Sequence, residues 1–232
     1  MTEILLLRQE QAQLAALYER LRQSYACEVE PLHSLMSYPC RMMLGYDKVS
    51  ALVEFCQIHG QHSVLNLFSG PGGVLKVCSL ATKGPLVGID KLYQTKNGDE
   101  TLWFDVQRAF QDWRNGLAQM GLNAMCEEPI FLKGDIEKDD FKKIGKFDRI
   151  IIDPPFGDAS DLLLGQSERR SIELLQAAID HCTYLLKSRG MAAVCCPRIM
   201  LEQVTMPREM ILTSLKEIGG AKDIIFASIT NG

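Results

Sequence analysis

The sequence predicts an α/β fold, a mostly parallel sheet with helices on both faces, preceded by an N-terminal helical segment. Three observations predict it. Short continuous apolar runs recur from residue 62 onward, such as Ser63–Phe68 (SVLNLF) and Phe147–Ile152 (FDRIII). A strand buried on both faces needs such a run rather than strict alternation. Amphipathic stretches of helical length separate the runs, the alternation from which βαβ units are built. A glycine-rich turn, Gly70-Pro71-Gly72-Gly73, follows the first run and opens a helix. Open α/β sheets receive ligands at such turns, beyond the carboxyl ends of their strands.

Residues 1–25 read as a helix: Thr2 can cap it, and Leu7, Leu14 and Leu21 recur at heptad spacing, with Leu17 on the same stripe. So short a stripe fits a helix packed on the domain better than a free coiled coil. A break follows around Glu28 to Pro39. A second helix is expected from Tyr46 to Ile58, with Val49, Leu52, Val53 and Cys56 on one face and Gly60 as its stop. Together these make a helical segment over 1–58, ahead of one α/β domain over 59–232. In that domain the first strand is Ser63–Phe68, and the helix after the turn runs to about Thr82. Leu86–Ile89 is the second strand, ending at Asp90. Residues 101–121 form a helix rich in Trp and Phe. Pro129–Leu132 is the third strand, ending at Gly134-Asp135, and Phe147–Ile152 the fourth. Residues 167–187 make a long helix, Met191–Cys195 a fifth strand, 206–218 another helix, and Ile224–Ile229 a sixth strand. A seventh strand is not visible. The chain carries no internal repeat and no low-complexity segment.

With 232 residues and 47% hydrophobic content, the chain has the make-up of a domain that buries a sizeable core. Its longest apolar runs, such as Ile150-Ile151-Ile152 and Met191-Ala192-Ala193-Val194, are far too short to span a bilayer. The Ile4–Leu7 run follows acidic Glu3 and lacks the length and basic flank of a signal peptide. Eight cysteines (Cys27, Cys40, Cys56, Cys78, Cys126, Cys182, Cys195 and Cys196) form no CxxC pair and no Cys/His ligand spacing. That argues against a zinc site and against a disulfide framework. The expected location is intracellular, the cytoplasm first and the nucleus as the alternative, with no membrane partner. A net charge of −4 disfavours non-specific binding to nucleic acid, which needs Lys and Arg against phosphates. A nucleic-acid substrate would then meet a local basic surface, or one supplied by a partner protein.

The turn is informative because of what surrounds it. Glycines let the backbone bend sharply and approach a ligand. Asp90 lies about 20 residues on, at the end of the second strand, where a carboxylate accepts bonds from ribose hydroxyls. The G-x-G-G spacing disfavours the dinucleotide fingerprint, and no Gly-Lys-Ser/Thr follows to make a P-loop. The block LNLFSGPGG, then VGID, then KGD resembles motifs I, II and III of class I S-adenosylmethionine (SAM)-dependent methyltransferases. That resemblance implies a Rossmann-like fold and SAM as cofactor. It places Asn66, Phe68, Ser69, Gly70, Gly72 and Gly73 around the methionine part of SAM. Asp90, with Lys91, would hold the ribose, and Asp135, with Ile136, would meet the adenine. One departure stands out: the family often has an acid where this chain has Asn66, which accepts hydrogen bonds but cannot pair electrostatically with the SAM ammonium. For Asp135, capping of the following segment is an equally good reading.

Asp153-Pro154-Pro155-Phe156 ends the fourth strand. It resembles the (D/N/S)PP(Y/F/W) motif of amino-methyltransferases, which act on adenine N6, cytosine N4, guanine N2 or amide nitrogens. The composition suits that chemistry. An exocyclic amine donates its lone pair into the ring and is a poor nucleophile. The Asp153 carboxylate and the Pro154 carbonyl can accept its two N–H bonds and return the lone pair. The two prolines stiffen the loop and remove competing N–H groups. Phe156 can stack on the flat target, worth ~1–3 kcal/mol. The bland alternative is a rigid strand end with Phe156 in the core. Arg169 and Arg170, and the Lys142, Lys143 and Lys146 cluster, are candidate phosphate contacts, although solvated faces explain them as well.

Rival chemistries fit less well. Ribose 2′-O methylation in the resembling family uses a Lys-Asp-Lys-Glu set. Lys48 is a candidate first lysine, but the position after the fifth strand holds Cys196-Pro197-Arg198, and Arg is a poor proton acceptor. Cytosine C5 methylation needs a cysteine nucleophile, and Cys195 and Cys196 read more simply as core. A protein nitrogen remains an alternative target. An inactive scaffold or partner subunit is disfavoured by the intact Asp90, Asp135 and tetrapeptide. The expectation is therefore N-methylation of a base, RNA ahead of DNA and adenine N6 ahead of other amines, with an activating partner protein as a further expectation.

Overall fold

A computed structural model describes residues 46–91, 106–156, 168–218 and 223–231. The helix expected over 1–25 and the loop expected over 157–166 lie outside the described residues. The chain forms α1 (Tyr46–Phe55), β1 (Val64–Leu67), α2 (Gly73–Cys78), β2 (Leu86–Asp90), α3 (Val106–Gln119) and β3 (Ile130–Lys133). There follow a 3-10 turn (Lys142–Ile144), β4 (Phe147–Ile152), α4 (Glu168–Leu185), β5 (Leu186–Pro197), α5 (Arg198–Gln203), β6 (Met210–Glu217) and β7 (Ile224–Asn231). The seven strands make one sheet in the order β3-β2-β1-β4-β5-β7-β6. β1 to β5 pair parallel with their neighbours, and β7 runs antiparallel to both β5 and β6.

The continuous apolar runs split their side chains between two cores, one on each side of the sheet. Ile151, Ala193, Cys195 and Phe226 join Val49, Leu52, Val53, Leu75, Phe110 and Trp113 from α1, α2 and α3. Ile150, Ile152, Ala192, Val194 and Cys196 join Leu175, Ile179, Cys182 and Met200 from α4 and α5. This is the two-faced burial that the sequence pattern demands. Trp113 is fully buried on α3 and donates its indole N–H to Ser79 Oγ at 3.2 Å, which satisfies its one polar atom. α1 lies in the same core as β1 and α2. At the amino end of the sheet, Asp148 accepts from the Ser63 amide (2.9 Å) and hydroxyl (2.7 Å) and from Lys187 Nζ (2.8 Å). Burial opposes its ionisation, but the bonds from Lys187 and Ser63 outweigh that and hold the carboxyl at about 2.

Two expectations are corrected. Residues 206–218 do not form a helix: Met210–Glu217 is β6, the seventh strand, so the sheet has seven strands and not six. β6 is an edge strand paired with β7, and Ile211, Leu212 and Leu215 remain exposed. With neither face buried, no alternation of apolar and polar residues is imposed on it, and that alternation is what marks a strand in a sequence. β5 is also longer than Met191–Cys195: it starts at Leu186, opposite Phe147, directly after the helix that ends at Leu185, and antiparallel pairing with β7 carries its other end to Pro197. No helix of the described residues is long and apolar enough to cross a membrane.

Candidate active site

The strand order reverses at β1: the chain moves outward to β2 and β3, then returns to place β4 on the other side of β1. Ligand crevices form at such a switch point, beyond the carboxyl ends of the strands. The register pairs Leu67 with Ile152. The next residue of each strand is therefore Phe68, opening the glycine turn, and Asp153, opening the tetrapeptide. Two segments distant in the sequence become neighbours. Asp90 ends β2, paired with Lys133 of β3, so Gly134 and Asp135 follow at the same edge.

The turn is held in shape from below. Ser69 N–H donates to Ile89 O at 3.0 Å, Gly72 N–H to Ser69 O at 2.9 Å, and Gly70 N–H to an Asp90 carboxylate oxygen at 2.8 Å. Asp90 thus braces the turn. Gly70 (φ 49°) and Gly72 (φ 80°) occupy the left-handed region, and so does Phe68 (φ 62°). A left-handed non-glycine residue costs roughly 1–2 kcal/mol, and such outliers gather at functional sites. A Cβ on Gly72 would stand 3.2 Å from the Phe131 ring. A Cβ on Gly88 would meet Ser69 Oγ at 2.6 Å. Gly88 is a site-shaping residue absent from the sequence-based set, though a glycine inside an apolar strand does signal close approach.

Two buried polar atoms at this turn lack hydrogen-bond partners among the described residues. Asn66 donates its amide to Leu67 O (3.2 Å) and Ile151 O (3.3 Å), leaving Oδ1 as a buried acceptor. Ser69 Oγ is the other. Buried polar groups are nearly always satisfied, so orphans at a ligand crevice point to a ligand.

Asp135 accepts the Glu137 amide at 3.1 Å, receives Lys138 Nζ at 3.4 Å, and its carbonyl accepts from Asp139 N at 2.9 Å. Burial opposes ionisation, but the Glu137 amide and Lys138 prevail and keep this carboxyl below its ordinary range. Capping is therefore one thing Asp135 does; Lys91 lies near enough to contribute to its field. Ile136 is buried beside it, in the core of the α4 face.

Asp153 behaves differently: burial pushes its carboxyl up to about 7. Cys195 and Cys196 stand close enough to feel its charge, and burial raises both thiols as well. Thiols so buried are poor nucleophiles. Pro154 is buried, and Phe156 packs partly on the α4-side core while keeping some of its surface open. A carboxyl raised by burial at a strand-end crevice marks Asp153 as a candidate functional group. Arg170 pairs with Glu137 and, at 3.0 Å, with Glu173; Arg169 pairs with Glu173 at 3.2 Å. Arg198 pairs with Glu217. Lys142 sits 5.5 Å from the Tyr184 ring centroid. Of the expected basic contacts, Arg169, Arg170 and Lys142 are thus engaged within the chain.

The sequence matches no protein-family model and no curated protein. Solved structures do match. TrmN from Thermus thermophilus is 17% identical, with a TM-score of 0.54 over 79% of this chain and 48% of that one. A SAM-dependent O-methyltransferase from Thermotoga maritima is 14% identical, with a TM-score of 0.50 over 87% of this chain and 71% of that one. The chain spans about half the length of TrmN. At these identities the likeness is one of fold alone, a Rossmann-like α/β sheet.

Proposed function

We propose that this chain is a SAM-dependent methyltransferase whose target is the exocyclic amine of a nucleic-acid base, with RNA ahead of DNA and adenine N6 ahead of other amines. The observation that carries the reading is the register of β1 against β4, which seats the glycine turn beside a half-buried Asp153. The donor set fits the cofactor: Asn66 Oδ1 and Ser69 Oγ offer buried unpartnered acceptors near the turn, and Asp90 ends β2 where a carboxylate meets a ribose diol. Asp135 and Ile136 stand where the adenine would lie. When bound, SAM supplies a methyl group already activated by its sulfonium.

The chain's own residues then orient, desolvate and handle a proton. The ionised Asp153 and the Pro154 carbonyl accept the two N–H bonds of the amine and so release its lone pair. A carboxylate titrating near neutrality is suited to keep the proton that the nitrogen sheds after transfer. Phe156 offers a face for the base. The weakly acidic net charge, and basic side chains already paired within the chain, favour a partner protein that supplies phosphate contacts.

The test is tritiated-methyl transfer from SAM into RNA, DNA and protein, wild type beside Asp153→Ala, followed by nucleoside mass spectrometry. Label in N6-methyladenosine that vanishes in the variant is the expected result. Label in a 2′-O-methyl nucleoside, in 5-methylcytidine or in protein overturns the base-amine reading.

A further inference from the structure

We propose that His181, on α4, is a positioning residue for the adenine end of the cofactor crevice, an inference that rests on the cofactor reading above. His181 Nε2 lies 2.6 Å from the carbonyl oxygen of Ile136. A carbonyl only accepts, so Nε2 carries the proton. The other ring nitrogen, Nδ1, faces the Tyr184 hydroxyl, so the ring is held at both nitrogens. The backbone at Ile136 is the segment that would border the adenine, and it opens the turn that Asp135 caps.

The grip extends beyond one bond. The His181 ring meets the Phe141 ring edge-on, with centroids 5.2 Å apart. Phe141 in turn lies against Gly134, where a Cβ would come within 2.7 Å of its ring. Near the other end of α4, Arg170 pairs with Glu137. One helix therefore holds the stretch from Gly134 to Phe141 at several points. That same helix follows the Asp153 tetrapeptide in the chain. Nothing in the expected motifs uses His181 or Tyr184.

The experiment measures binding, by calorimetry, of S-adenosylhomocysteine and of adenosine alone. Proteins are wild type, His181→Ala, His181→Gln, which keeps a donor near the Nε2 position, and Asn66→Ala as a methionine-end control. Thermal unfolding is recorded for each. Loss of one hydrogen bond predicts that His181→Ala weakens both ligands by about fivefold to tenfold. His181→Gln restores most of that, and Asn66→Ala weakens S-adenosylhomocysteine alone. Amide exchange should quicken at Glu137 to Asp139 in His181→Ala. If wild type binds neither ligand, the cofactor reading itself fails. If wild type binds and His181→Ala binds equally well, the positioning inference is overturned. It is likewise overturned if His181→Gln is as weak as His181→Ala.

Discussion

Replacing Asp153 by Asn tests whether the candidate site stores a destabilising charge. Burial raises the Asp153 carboxyl from an ordinary 3.8 to about 7. A raised folded-state value means that the native protein holds this proton more tightly than the unfolded chain does. The stability it contributes is fully present below about 3.8, is lost as pH climbs, and is gone above about 7. A rise of that size corresponds to about 4 kcal/mol at most, since a tenfold change in proton affinity is worth about 1.4 kcal/mol. Asn is neutral throughout and nearly the same shape. The variant should therefore match wild type near pH 4 and exceed its stability increasingly up to pH 8, by up to about 4 kcal/mol. For a chain of this size each kcal/mol moves Tm by about 2–4 °C. Thermal unfolding of both proteins at pH 4.5, 6, 7 and 8.5 reads the gap directly. A gap that stays constant with pH would refute the reasoning, because it would mean that the carboxylate is no more costly folded than unfolded.

Methyl transfer by wild type should rise with pH through an apparent value of about 7, as Asp153 ionises, and Asp153→Asn should lose that limb and fall about 10²-fold or more in kcat; a pH–rate profile of each checks it. Gly88→Ala should cost about 1–3 kcal/mol, since its Cβ would meet Ser69 Oγ at 2.6 Å and Leu75 Cδ1 at 3.0 Å, and should weaken cofactor binding; denaturant unfolding and calorimetry measure both. Asp148→Ala should cost about 1–2 kcal/mol at pH 7, allowing for solvent around half-exposed Lys187. Because the Asp148 carboxyl is held at about 2, that contribution is present above about 3.8 and disappears as pH falls through 2, so the two urea midpoints should converge in acid.

Much of the fold around the candidate site was legible because its signals are local. SVLNLF and FDRIII announce strands by their continuous apolar character, and the acid of LVGID falls at the spacing that a βαβ unit requires. What escaped is what depends on neighbours. Neither face of β6 is covered, so Ile211, Leu212 and Leu215 stay exposed and its spacing reads equally well as a helical face. His181 looks like any polar residue on an amphipathic helix; its partner, Ile136, is 45 residues away. Asp135 was balanced between cap and ligand, and its bond to the Glu137 amide shows the cap in place. Gly88 could have been picked out, since a glycine amid Leu, Val and Ile in a strand has to be explained by something close to it.

The reversal of strand order at β1 bears on how the protein is made. During synthesis, a chain released as far as Asp90 already owns the glycine turn and the carboxylate that braces it. Its first strand, however, still lacks the neighbour on its other side, because β4 arrives only with residues 147–152. The early half therefore emerges with one edge of β1 bare and apolar, a surface that other chains can pair with. The candidate crevice acquires its second wall only when that gap is filled. Ligand capture on the ribosome should thus begin abruptly after the fourth strand clears the exit tunnel, rather than growing gradually with length.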